Sequence, residues 1–529
     1  MILKWGNCSN ELPTVQFLLL NVVLGIGHFI ILLSAGAYLP MLPYVAGSIG
    51  EGIPYAVWGQ SNYFTAMGVA FLIARPLMKR FGARDIAITA YLLFAVSSLM
   101  VLLTAQIFPL MTSARTLQGF SAGLSLSPSF YLLLGQYKKN KQQVAIGLWG
   151  LAAFTPFSIG PALGGYCAYV LGDWRILFVL GGILSLFVAS ILWAILEENE
   201  ADIDLSLFIS PHLKVFAILA MACLCLQSFF NIGLLSDLTS REGELLWSGL
   251  FIVLWFSMFL FMNKTTQGML IDFTVFRYPN YLISMIILCV GFMALQSSIV
   301  QYLIRLQTVE GNTAWHAGLI FLPIFVFSKP LNLLAQYLIH HGYDPRMLAS
   351  ISFFSFALSF WWMSTFSRPA PWESLIGPML LEGAAFGLFL ISMTSIALSN
   401  VPADEQLHAV DLLNAVRNIG AGLAITLSDI GWDHYTSHVR NYLSAPIDQS
   451  HDFLAGLNSY SNLSSAAGQH LIHLKLIKQS GLLSINAMFY TLAIIFTTLG
   501  LAIWFASPKH IIHKITVLDN VVESIGEEP

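Results

Sequence analysis

Apolar runs long enough to cross a bilayer follow one another along almost the whole chain, and they constrain the fold more than any motif does. As a helix, a run of about 20 such residues covers roughly 30 Å of hydrocarbon. Runs of this kind lie at 15–39, 55–74, 86–104, 108–135, 144–171 and 176–196. An acidic stretch from Glu197 to Asp202 then precedes two more, at 213–235 and 245–262. Residues 263–278 separate these from a second group of six, at 281–303, 315–339, 347–366, 375–398, 407–430 and 482–505. With 57% hydrophobic and 10% charged residues, against about 25% charged in ordinary soluble domains, the chain has too much apolar surface to hide from water. The expected fold is an all-α membrane protein with fourteen transmembrane helices. Residues 1–199 form a first six-helix bundle, 200–278 two linker helices, and 279–529 a second six-helix bundle interrupted by a long extracytoplasmic loop at 431–481.

The distribution of Lys and Arg orients the array, because short cytoplasmic loops are enriched in both. In the first half one side carries Lys4, Lys79, Arg80, Arg84, Lys138, Lys139 and Lys141, and the other only Arg175. The even number of spans returns Lys509 and Lys514 to the first side. Both termini are therefore expected in the cytoplasm of a bacterial inner-membrane protein, with 431–481 on the far face. The retained first helix lacks a signal-peptide cleavage pattern. The five cysteines, Cys8, Cys167, Cys223, Cys225 and Cys289, lie mostly in apolar runs and read as packing residues. In the 431–481 stretch the pairs His434/His438 and His470/His473 have helical spacing but no third ligand type beside them, so no metal site is expected. No basic block points to nucleic acid, and no cofactor motif is present.

The two groups of six echo each other, as in transporters built from repeats. The segment Gln118-Gly119-Phe120-Ser121-Ala122-Gly123 has its counterpart in Glu382-Gly383-Ala384-Ala385-Phe386-Gly387, and the turn at Gly82 and Arg84 has one at Gly342 and Arg346. Ionisable residues inside spans are costly and mark function by default. Arg115, Glu382, Asp411, Arg417 and His28 qualify. Glu382 is the eighth residue of the run at 375–398, hence towards mid-depth at 1.5 Å per residue.

Four segments carry a resemblance to the major facilitator superfamily, and within it to the fourteen-span drug:proton antiporters of the EmrB/QacA type. They are Arg115-Thr116-Leu117-Gln118-Gly119 in the fourth span, Gly160-Pro161-Ala162-Leu163-Gly164-Gly165 in the fifth, the basic loop from Pro76 to Arg84, and Asn414-Ala415-Val416-Arg417-Asn418-Ile419-Gly420 in the thirteenth. The resemblance implies a major facilitator fold and proton-coupled export of small lipophilic or drug-like molecules. It also implies motif roles for Arg115, Gln118, Gly119, Gly160, Pro161, Gly164, Gly165, Asn414 and Arg417, and a cytoplasmic gate loop at Lys79, Arg80, Gly82 and Arg84. Gly160 and Gly164 share a helix face and allow close approach, either as static packing or as a sliding contact. Two departures stand out: Lys79 takes the usual acid position of the gate loop, and Ser34 stands where relatives keep an aspartate in the first span. Proton coupling is then expected at Glu382, Asp411 or His28. The expected partners are a small-molecule substrate, protons and the lipid bilayer, with a periplasmic adaptor left open. Export of one dedicated metabolite such as a siderophore, or uptake by symport, are the alternatives. No Gly-x-x-x-x-Gly-Lys-Ser/Thr loop occurs, which disfavours ATP-driven pumping. A membrane enzyme is disfavoured because no nucleophile and base converge, and a channel because no filter-like segment repeats.

Overall fold

The computed structural model describes residues 13–137, 158–197, 211–235, 242–265, 271, 273–366, 371–402, 405–449 and 466–507. Residues Lys4, Cys8, Lys138, Lys139, Lys141, Lys509 and Lys514, the start of the fifth apolar run and the centre of the 431–481 stretch lie outside them.

The first half is built from α1 (Thr14–Ala37), α2 (Leu42–Ile49), α3 (Ile53–Phe81), α4 (Ala83–Leu103), α5 (Phe108–Gly135), α6 (Ile159–Gly165) and α7 (Ile176–Ile195). The linker helices are α8 (Pro211–Leu235) and α9 (Glu242–Thr265). The second half consists of α10 (Pro279–Thr308), α11 (Ala314–Leu319), α12 (Pro323–His340), α13 (Pro345–Ser364), α14 (Trp372–Leu398), α15 (Gln406–Gln449) and α16 (Ala466–Ala502). Proline opens α3, α5, α10 and α13, where its missing N–H would be unpaired anyway and its fixed φ suits a first turn.

The packing repeats one plan twice. In the first half α5 lies between α3 and α4, and α4 packs on α7; in the second, α14 lies between α12 and α13, and α13 packs on α16. Chemistry repeats with it. A Cβ on Gly119 or Gly123 would collide with the carbonyls of Tyr63 and Met67, and one on Gly383 or Gly387 with those of Ile324 and Ser328. The same four-residue seam therefore joins α5 to α3 and α14 to α12, as small residues at a membrane helix interface allow. At the turns, Gly82 has φ 83° and Gly342 φ 85°, a left-handed backbone that only glycine adopts freely. Beyond them, Arg84 donates to the Trp193 carbonyl (3.1 Å) and Arg346 to the Ala506 carbonyl (3.0 Å), each tying the third span of its half to the chain at the end of the last.

Nine helices among the described residues are long and apolar enough to cross a membrane. Three of the other expected spans, α3, α5 and α15, are long helices made less apolar by side chains turned into the protein, such as Gln60, Ser61, Thr65, Arg115, Gln118 and Asn418. One expectation needs correction. The 431–481 stretch is not a plain loop, because α15 continues to Gln449 and α16 begins at Ala466. Polar composition there excludes the bilayer but not a helix. At 1.5 Å per residue, the 44 residues of α15 and 37 of α16 both exceed the bilayer core. The expected span 315–339 is also divided, α11 ending at Leu319 and α12 starting at Pro323.

Candidate functional site

The interior of the first half is organised around Arg115. Its side chain is fully buried, so it does not snorkel to an interface. Nη1 donates to Gln118 Oε1 (2.5 Å) and, at 3.4 Å, to Ser34 Oγ, while Nη2 donates to Gln60 Oε1 (2.7 Å). Gln60 and Gln118 are held in turn by the Ala35 carbonyl and Ser98 Oγ. The guanidinium carbon stands 4.1 Å from the Tyr38 ring centroid and 4.4 Å from that of Tyr63. Amides and aromatic faces thus replace a carboxylate, and Nε has no acceptor. Cation–π contacts are strongest when desolvated, which is the case here. Ser34 of α1 thus faces this arginine.

The fifth-span glycines do two different jobs. Side chains at Gly160 or Gly164 would run into the backbone at Gly36 and Ala37 of α1, a contact inside the first half. Gly165 instead abuts the Ala314 carbonyl, and Gly318 abuts that of Pro161. These two close approaches join the halves. Next to them Tyr166 meets Trp315 edge to face at 5.3 Å, and Gln307 Nε2 donates to the Pro40 carbonyl (3.1 Å). After Gly165 the helix widens into a π-turn over Tyr166–Val170. Of these glycines, Gly165 lies at the contact between the halves, while Gly160 and Gly164 pack on α1.

The second-half acids lie apart. Glu382 is 3% exposed on α14, beside the Gly383 seam, and interacts electrostatically with Tyr302 of α10. Among the described residues no Lys or Arg pairs with it. Asp411 on α15 reaches across to the first half, where Ser127 Oγ donates to its Oδ1 (3.1 Å) and the Arg75 charge is felt. Its Oδ2 is buried without a partner. Arg417 does not pair with either acid; it lies over Phe292 at 4.8 Å. Asn414 offers its carbonyl to Asn418 Nδ2 (2.8 Å). His28, buried in α1, lies within electrostatic reach of Lys329 on α12. At the expected gate loop, which is two helix ends meeting at Gly82, Arg84 binds Asp85 (2.8 Å), Arg80 covers Phe81 and Lys79 is exposed.

Several polar residues were missed from the sequence. Lys329 stands inside an apolar span and the cost of an intramembrane charge would have flagged it. Arg305 and Asp429 form a largely buried pair at 3.2 Å, with Trp432 4.0 Å from the guanidinium. Both have charges visible in the sequence, but their pairing across α10 and α15 is not. Among the described residues no group of three His, Cys, Asp or Glu is placed to hold a metal ion.

Glu310, just past the end of α10, offers a test of how the helix ends are packed. Burial pushes its carboxyl from the ordinary 4.5 up to about 7, with Lys478 opposing the shift. The folded state then binds this proton more tightly than the unfolded state. Its contribution to stability is complete below about pH 4.5 and is lost as pH rises through about 7. Thermal unfolding in detergent should show a midpoint that falls across this window, and Glu310→Gln should flatten that part of the profile. An unchanged profile in the variant would assign the dependence elsewhere.

The sequence model of the Major Facilitator Superfamily matches residues 24–425. The multidrug export protein EmrB of Haemophilus influenzae is 27% identical over 518 residues, covering 95% of this chain and 99% of that protein. The fatty acid resistance protein FarB of Neisseria gonorrhoeae is 25% identical over 497 residues, covering 92% and 95%. Among solved structures, the inward-facing, occupied bacterial homolog of the human lysosomal transporter Spinster superposes with a TM-score of 0.60 at 12% identity, covering 92% of this chain and 96% of that one. That similarity bears on the fold alone. The resemblance read from the fourth-, fifth- and thirteenth-span motifs is borne out. A sequence model that spans most of the chain, met by a backbone that repeats one helical plan twice, leaves one assignment: the chain belongs to the Major Facilitator Superfamily.

Proposed function

We propose that this protein is a proton-coupled antiporter that exports small lipophilic or drug-like molecules by alternating access of its two halves. The observation that carries the reading is the pair of matching helix sets, which meet through α3 with α15 and α6 with α11 and carry buried ionisable groups inside. Near full-length similarity to EmrB of H. influenzae supports multidrug export over enzymatic turnover. The boundaries follow the sequence reading, with bundles at 1–199 and 279–529 and a two-helix linker at 200–278, fourteen spans in all. The Lys and Arg asymmetry supports an inner-membrane placement with both termini cytoplasmic. The lengths of α15 and α16 beyond the bilayer support a far-side surface for a periplasmic adaptor.

The energetics suffice. One proton moving down about 150 mV yields roughly 3.5 kcal/mol, and exporting a neutral solute against a hundredfold gradient costs about 2.7 kcal/mol. Within the proposal Glu382 exchanges the proton, Asp411 with Ser127 and Arg75 closes one end between the halves, and Arg115 orders the first-half core with Gln118 and Gly119. His28 and Lys329, from opposite halves, lie within electrostatic reach of each other. In cells stripped of their own pumps, the protein should lower accumulation of a panel of lipophilic dyes and drugs, and a protonophore should restore it. Efflux that survives collapse of the gradient would contradict proton coupling.

A further inference from the structure

The linker helix α8 is docked rather than adrift in lipid. Gln227 and Asn231 are one helical turn apart and so share a face, and both are buried, at 0% and 1% exposed. Two amides on a helix facing hydrocarbon would be costly, whereas amides and hydroxyls facing other helices bond across the interface. Their partners come from both halves. From α3, Thr65 Oγ1 donates to Gln227 Oε1 (2.9 Å), Ser61 Oγ donates to Asn231 Oδ1 (3.3 Å), and Asn62 Oδ1 lies 3.5 Å from Asn231 Nδ2. From α15, Thr426 Oγ1 accepts from Gln227 Nε2 (2.9 Å) and donates to Asn231 Oδ1 (2.6 Å). Gln227 Nε2 also approaches Asn231 Oδ1 at 3.3 Å, closing the ring. At the same level a Cβ on Gly422 would collide with the Ser61 carbonyl and Thr65, so the α3 and α15 backbones touch where α8 bridges them. The second linker helix packs on α8.

We propose that α8 is a latch, its Gln227 and Asn231 holding α3 of the first half to α15 of the second in the conformation seen here. The proposal rests on the alternating-access reading, because only relative motion of the halves requires these bonds to break. That motion separates Thr65 from Thr426, and α8 cannot follow both. Some of the network must then open, which weights the equilibrium towards the present state. Gln227 and Asn231 are positioning residues in this scheme and need not touch substrate.

The test is a distance distribution in the full-length protein, with spin labels at Glu51→Cys and His434→Cys, two exposed positions flanking the seam, and the five native cysteines replaced by serine. This parent should sample a short and a long distance as pH and a transported dye are varied. Gln227→Leu with Asn231→Leu should raise the long population relative to the short by about tenfold, the scale of a few interhelical hydrogen bonds in a bilayer. Thr426→Val, which keeps the shape and removes only the hydroxyl, should act in the same direction, and Thr426→Ser should behave as the parent. A folded Thr426→Val protein with the parent's distribution would overturn the latch alone, as would equal behaviour of the valine and serine variants. One fixed distance in the parent under every condition would overturn alternating access at this seam, and the latch with it.

Discussion

Glu382→Gln should lower proton-driven substrate flux by about a hundredfold, the lower end of what removing a proton-transferring group costs, while protein yield and substrate binding stay near wild type. Glutamine keeps the shape and much of the hydrogen bonding of the carboxyl but cannot carry a proton. The site gives this substitution little else to disturb. Glu382 has no basic partner among the described residues, and the seam beside it depends on Gly383 and Gly387, not on the carboxylate. Asp411→Asn should be milder, because amide and acid can both accept from Ser127 Oγ at 3.1 Å and the residue lies close to one end of its helix. Proton-driven flux in reconstituted vesicles distinguishes the two. Wild-type flux in Glu382→Gln would remove it as the coupling group and direct attention to Asp411 and to His28 with Lys329.

The glycine cluster of the fifth span should split into two phenotypes. Gly165→Leu places a side chain against the Ala314 carbonyl of the other half. Overpacking costs about 1–3 kcal/mol, and the cost falls on the state in which the halves touch here, so transport per molecule of protein should drop by tenfold or more. Gly164→Leu collides with Ala37 inside the first half, a contact that motion of one half against the other does not require to break. Its loss should appear as poor expression and a lower unfolding midpoint, with activity falling in proportion to protein. Quantifying transport against membrane-inserted protein for both variants settles the assignment. Equal specific activities would make Gly165 an ordinary packing residue as well.

How much of this was legible beforehand varies by element for physical reasons. The helices could be read because the bilayer imposes a length and a composition on whatever crosses it. The internal repeat could be read at Gly119, Gly123, Gly383 and Gly387 because close helix approach tolerates no side chain, and the demand is the same in both halves. The extent of α15 and α16 was missed because outside the bilayer nothing forces a polar helix to look different from a loop. Sequence spacing put Gly160 and Gly164 on one close-packing face but could not say what lies opposite it, which is α1, nor that Gly165 meets the other half. For the same reason Ser34 could be matched to a motif position, yet its approach to Arg115 at 3.4 Å required coordinates. Gln227 and Asn231 were hidden in an apolar run whose hydropathy is dominated by its lipid-facing residues. Lys329 was readable and was passed over.

The central claim, that a proton gradient drives substrate through this protein, is tested most directly in vesicles containing only the purified protein. An imposed pH gradient and the movement of a lipophilic dye are followed together with proton flux. The account predicts dye movement against its own gradient, accompanied by counterflow of protons, and loss of both when the pH gradient is collapsed or when Glu382 is replaced by glutamine. Dye that only equilibrates across the membrane, with no proton movement and no response to the pH gradient, would contradict it.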